Sequence, residues 1–252
     1  MRIWAIALLL LSSLISAGEE ITVAAAADLQ FALQDVKERF EKETGGRANL
    51  VFGSSGNFFT QIQNGAPFDL FFSADIEYPR QLEAAGLAEP GTLYEYAVGK
   101  LVLWVLADSA LDPSQGLPVL LDPKIKKIAI ANPAHAPYGR AAVAALRHEG
   151  IYERVSDRLI LGENISQAAS FVVSGNADIG IVALSLALGP SLKEKGKYAE
   201  IDPGDYPAIR QAAIVLKSSK KKPAAEQFLD YMKTPAVIEI LKKYGFSRAG
   251  KS

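Results

Sequence analysis

The sequence contains no cysteine. Disulfides, thiolate nucleophiles, cysteine-based metal sites and lipid-modified cysteine anchors are therefore all excluded. Histidine is nearly as scarce, with only His135 and His148, which are too far apart in sequence to resemble paired metal ligands. Neither sign of charge dominates: 27 basic residues stand against 28 acidic ones, a net charge of −1, which argues against nucleic acid as a partner. The one dense basic run, Lys217 with Lys220–Lys222, is short and reads as a solvated loop. Beyond the first residues, no apolar run is long enough to span a bilayer.

What is present is a globular composition. The chain has 252 residues, 49% hydrophobic and 22% charged, enough for one large domain or two modest ones with real cores. Residues 1–18 read as an export leader: Arg2 supplies positive charge, Ile3–Ile15 an apolar stretch, and Ser16-Ala17-Gly18 small residues for cleavage near 17–18. Loss of Arg2 with the leader leaves 26 basic residues against 28 acidic ones, a mature charge of −2. A soluble, exported, monomeric protein is expected, with the periplasm as its compartment.

The mature chain alternates between strands and helices. Glu20–Ala27 predicts a buried strand, and Asp28 opens a helix with Leu29, Ala32, Leu33, Val36 and Phe40 on one face until Gly45-Gly46. Ala48–Phe52 is a second strand. The turn Gly53-Ser54-Ser55-Gly56 follows it and opens a helix carrying Phe58, Phe59 and Ile62. Asp69–Ala74 is a third buried strand, so this half reads as a helix-covered parallel sheet. The apolar run Tyr96–Val105 reads as one long strand crossing into a second lobe. The same pattern then repeats, with strands at Ile128–Ala131, Leu159–Leu161 and Asp178–Ala183, and helices opening after Pro137-Tyr138 and Asn164-Ile165. Ala212–Lys217 returns to the first lobe, and two helices close the chain. The expected division is residues 19–98 with 212–252 in one lobe and 99–211 in the other, each an α/β lobe with a mixed, mostly parallel sheet flanked by helices.

Four strand-to-helix turns then point into the cleft between the lobes: Ala27-Asp28, Ser54-Ser55, Pro137-Tyr138 and Asn164-Ile165. Ligands of such sheets sit beyond the carboxyl ends of the strands. A single Ser-Ser turn is adequately explained as a helix cap. Four converging helix starts, however, can hold a small doubly charged oxyanion through N–H donors and dipoles, with a Ser54 or Ser55 hydroxyl added. No turn tip carries Lys or Arg, although Arg140 is close. A cage built only of donors also disfavours protonated oxyanions.

Several of these segments are similar to those of the periplasmic molybdate-binding proteins of ABC importers. They are Ile21-Thr22-Val23-Ala24-Ala25-Ala26, Gly53-Ser54-Ser55-Gly56, Gln61-Ile62, Asn64-Gly65-Ala66-Pro67 and Asp69-Leu70-Phe71-Phe72-Ser73-Ala74-Asp75. Asn132-Pro133, Pro137-Tyr138-Gly139, Gly180-Ile181-Val182-Ala183 and Tyr244-Gly245-Phe246 extend the resemblance over residues 20–247. It implies a two-lobed, type II solute-binding fold closing on molybdate or tungstate, an ABC transporter permease as partner, and no cofactor. It places ligand contacts at Ala27 or Asp28, at Ser55, and at the backbone N–H groups of Tyr138 and Ile165. All are contacts to oxygen, with no protein atom bound to the metal. The sequence departs from the family at Ala183, where some members supply a tyrosine hydroxyl, and at Asp28, where others carry Ser or Asn. A carboxylate facing a dianion is repulsive; Asp28 is therefore expected to turn back and cap its helix at Leu29–Phe31. The alternative is a carboxylate that faces the cleft and repels a dianion unless a proton is shared between them.

Other readings are weaker. A hydrolase using Ser55 lacks the Gly-x-Ser-x-Gly spacing, and nothing in the sequence brings His135 to Ser55. A regulator's effector domain would not carry an export leader, and a porphyrin-pathway transferase on a similar fold would need a cysteine. A binding protein for another small oxyanion is the remaining alternative.

Overall fold

The computed structural model describes residues 19–248; the expected leader, residues 1–18, lies outside them. In chain order the elements are β1 (Glu20–Ala26), α1 (Gln30–Thr44), β2 (Arg47–Gly53), α2 (Ser55–Gln63), β3 (Leu70–Ser73), α3 (Glu77–Ala84), β4 (Tyr94–Gly99) and β5 (Leu101–Leu106). There follow β6 (Ile128–Ala131), α4 (Pro137–His148), α5 (Tyr152–Val155), β7 (Leu159–Gly162), α6 (Ile165–Val173), β8 (Ile179–Ala183) and α7 (Leu184–Ala187). The chain closes with β9 (Gly196–Glu200), β10 (Ile209–Val215), α8 (Lys222–Tyr231) and α9 (Pro235–Lys243).

The strands form two five-stranded sheets, ordered β2-β1-β3-β10-β4 and β7-β6-β8-β5-β9. In the first, β1 runs parallel to β2 and β3, while β10 is antiparallel to β3 and β4. In the second, β6 runs parallel to β7 and β8, while β5 is antiparallel to β8 and β9. Each sheet thus has four strands pointing one way and one reversed. The fold is the two-lobed, mixed α/β arrangement that the sequence predicts.

Strands covered by helices on both faces are largely apolar, and the centres of β1, β3 and β8 are: Val23, Ala24, Leu70, Phe71, Phe72, Ile179 and Ile181 are fully buried. Helix α1 buries Ala32, Leu33, Val36 and Phe40 as one stripe and stops where Gly45 takes a φ of 72°, the left-handed conformation that ends helices. Phe40, Phe72 and Phe228 pack edge to face at the centre of the first lobe.

Two details differ from the sequence reading. The run Tyr96–Val105 is not one strand: it breaks at Lys100, giving β4 to the first sheet and β5 to the second. The chain passes between the sheets there, and again between β9 and β10, which begins at Ile209 rather than Ala212. Strand β9 was not predicted; its sequence, Gly-Lys-Tyr-Ala-Glu, is polar and exposed because it is an edge.

Candidate functional site

Each of the four turns lies at the carboxyl end of a strand: Ala27-Asp28 after β1, Ser54-Ser55 after β2, Pro137-Tyr138 beyond β6, and Asn164-Ile165 after β7. The structure brings all four to one small, nearly closed-up cavity of about 10 Å³, lined also by Ala26, Gly53, Ala74 and Ala136. Ala27, Asp28, Ser54, Ser55, Tyr138 and Ile165 are all buried there.

The first N–H groups of a helix have no acceptor within it. Among the described residues, those of Ser55, Tyr138 and Ile165 find none elsewhere in the protein either. At α6 the reason is visible: Asn164 Oδ1 accepts from Ser166 and Gln167, both at 3.0 Å, and passes over Ile165. At α4, Pro137 occupies the first helical position, so Tyr138 carries the first free N–H. The Ser55 hydroxyl accepts from the Ala74 N–H at 3.0 Å, leaving its own hydrogen to give.

Ser54 plays a different part. Its hydroxyl donates to the His135 carbonyl across the cleft at 2.6 Å, and the Gly56 N–H donates to the same oxygen at 2.9 Å. The His135 ring Nδ1, 2.9 Å from Ser54 Oγ, must then be the donor of that pair. Ser54 is therefore not activated by a base, and Ser55 has no imidazole against it. A hydrolase built on either serine is not assembled. Among the described residues, no group of three or more His, Cys, Asp or Glu is placed to hold a metal.

The cation nearest a turn in sequence, Arg140, is neutralised. Arg140 reaches across to Asp75 at 2.6 Å and to the Tyr78 hydroxyl at 3.1 Å. With Ser166 to Gln30 (2.8 Å) and Asn57 to Glu163 (3.3 Å), this pair closes the rim. The cavity itself is left with neutral donors and helix dipoles.

Asp28 does not do what its position suggests. No side-chain bond caps the turn it sits in, a single 3₁₀ turn at Ala27–Leu29 leading into α1. Its Oδ2 instead accepts from the Tyr138 hydroxyl at 2.9 Å and from Gln211 Nε2 at 2.6 Å. Oδ1 is buried against the backbone without a hydrogen bond. The capping expectation is thus overturned, because a tyrosine of the second lobe and a glutamine of β10 offer donors that the helix start does not. Burial raises the Asp28 carboxyl to about 6, against the lowering effect of the Gln211 and Tyr138 hydrogen bonds and, more weakly, of the nearby Asp28 and Leu29 backbone N–H groups, neither of which makes a well-formed hydrogen bond to it. Burial, then the Asp28 charge, push the Tyr138 hydroxyl well above its ordinary value, and Tyr96 likewise. Tyr96 donates to Gln211 Oε1 at 2.8 Å, completing a buried chain, and Ser185 donates to the Asp28 carbonyl at 2.7 Å.

Gln211 and the Tyr138 hydroxyl were missed in the sequence reading. A clue was available: a glutamine followed by the apolar run Ala212–Val215 in a strand needs buried partners.

A family model described as bacterial extracellular solute-binding protein matches residues 21–247. The chain belongs to this family. It is 40% identical over 242 residues to the molybdate-binding protein ModA of Rhodobacter capsulatus, covering 96% of this chain and 94% of that one. To ModA of Azotobacter vinelandii it is 42% identical over 228 residues, covering 90% and 89%. The solved structure of the periplasmic molybdate-binding protein of Azotobacter vinelandii superposes with a TM-score of 0.86 at 37% identity, over 91% of this chain and 100% of that one. The resemblance read from the sequence is therefore shown, and the chain falls among transport proteins rather than enzymes.

Proposed function

We propose that the protein captures molybdate, and tungstate with it, in the periplasm and delivers it to the permease of an ABC importer. The leader at residues 1–18 directs export and is removed near 17–18, and the mature protein acts as a monomer. The supporting observation is the convergence of four turns from two lobes on one small cavity that contains donors and no free cation.

In this reading the Ser55 hydroxyl and N–H and the N–H groups of Tyr138 and Ile165 hold the oxyanion, with the backbone at Ala27-Asp28 as the fourth contact. Ser54 serves by clamping the lobes. The lobes, one built on β1–β4 and β10 and the other on β5–β9, close on the ligand about the two chain crossings. Three helix starts aimed at one point supply about half a positive charge each, enough to favour a dianion without a salt bridge.

The test is thermal melting against molybdate, tungstate, sulfate and phosphate, since a ligand that binds only the folded state stabilises it by mass action. Molybdate and tungstate should raise the melting temperature more than sulfate does. Asp28 favours a second reading, because an ionised carboxylate in the wall is an acceptor suited to a protonated oxyanion. A larger shift with phosphate than with molybdate would select it.

A further inference from the structure

Among the described residues, Asp28 is the only acidic one lining the cavity. It is 1% exposed, and its two oxygens are unlike each other: Oδ2 already accepts two hydrogen bonds, while Oδ1 has none. The polar groups that face it are neutral on every element packed against it. They are Gln211 from β10, the Tyr138 hydroxyl from α4, the Tyr96 hydroxyl from β4 one bond further on, and the Ser185 hydroxyl on its carbonyl. The nearest cation on α4, Arg140, is engaged by Asp75 at the rim. No cation in this shell balances a negative charge on Asp28; the neutral donors on Oδ2 offset only part of the cost of its burial, and an incoming dianion would add two more charges beside it.

We propose that Asp28 is a neutral carboxylic acid in the ligand-bound state, so that capture of a tetrahedral dianion takes up one proton from solvent, carried on Oδ1. The inference rests on the oxyanion reading of the site. The balance is simple: ionised protein, dianion and one proton give a complex in which Asp28 holds the O–H, with no other bond made or broken. Burial already moves this carboxyl to about 6 without ligand, and a neighbouring dianion moves it in the same direction. Closure contributes too, because Tyr138 seals Asp28 from the opposite lobe. The protein would thus read the ligand's charge through a group that becomes neutral to admit it.

The experiment is titration calorimetry of the full protein with sodium molybdate at pH 7, in buffers of different ionisation enthalpy. The expected result is uptake of about one proton per molybdate, with affinity falling up to about tenfold between pH 7 and pH 8. Asp28→Asn should bind with no proton uptake and a flat pH profile. His135→Gln should retain the uptake, which separates Asp28 from the histidine against Ser54. Binding without buffer-dependent heat in the parent protein overturns the proposal and leaves the ligand assignment standing. Uptake that persists in Asp28→Asn or disappears in His135→Gln overturns it as well. No binding of molybdate by the parent protein overturns both. If Asp28→Asn does not fold, the buffer series on the parent and His135→Gln still decides.

Discussion

Tyr138 and Asp28, 110 positions apart, meet across the cleft, the tyrosine hydroxyl of one lobe donating to the carboxylate of the other at 2.9 Å. The same tyrosine offers its backbone N–H to the cavity. One residue thus lines the cavity with its backbone and holds the Asp28 carboxylate with its side chain.

Tyr138→Phe keeps the ring and the N–H but removes the cross-lobe donor, leaving Asp28 with Gln211 alone. Molybdate affinity should fall by about 1–2 kcal/mol, as for loss of a buried hydrogen bond to a charged or acidic partner. Equilibrium dialysis with molybdate measures it; an unchanged affinity would show that closure does not depend on this contact.

Ser55→Ala removes a donor to the ligand and the acceptor of the Ala74 N–H. Affinity should drop by about 1–3 kcal/mol, and the ligand-free protein should lose about 1 kcal/mol of stability. Calorimetry with ligand and chemical denaturation without it separate the two effects. Loss of stability with full affinity would reduce Ser55 to a structural residue.

Gly56 lies at a close contact between the lobes, its N–H 2.9 Å from the His135 carbonyl oxygen. A Cβ there would stand 2.5 Å from the His135 carbonyl oxygen and 2.8 Å from the Tyr78 hydroxyl. Gly56→Ala should therefore fold normally in the open form and resist closing, with affinity reduced at least tenfold. Small-angle scattering should show no contraction at a molybdate concentration that saturates the parent protein; a parent-like contraction would rule this out.

The ligand-free protein should lose stability between pH 4 and pH 7 through Asp28. Its folded-state value, about 6, lies above the ordinary 3.8, so the folded protein holds this proton more tightly than the unfolded chain. The contribution is present below about pH 4 and is lost as pH rises through about 6, amounting to about 3 kcal/mol at most. Urea denaturation of parent and Asp28→Asn across this range should show the gap between them changing in that direction. A constant gap would mean the carboxyl titrates normally.

The sheets and the four turns were legible in the sequence because each strand ends in small or turn-forming residues, such as Gly53-Ser54 and Gly162 before Asn164. The break at Lys100 was hidden because an apolar run reads the same whether it pairs in one sheet or two. The surroundings of Asp28 were hidden for a different reason. Local chemistry makes an aspartate at a helix start a cap, and its actual partners lie 110 and 183 positions away. Arg140 posed the same problem, since its neutralising partner Asp75 belongs to the other half of the fold.

The division of donors between the lobes also bears on release. Ser55 comes from one lobe, Tyr138 and Ile165 from the other, and the chain passes only twice between the sheets among the described residues. On the proposed function, rotation about those two crossings would disassemble the cage without anything entering it. The importer's permease would then work as a lever on the outer surfaces, prising the halves apart at a distance and leaving the cargo on a half-site too weak to keep it.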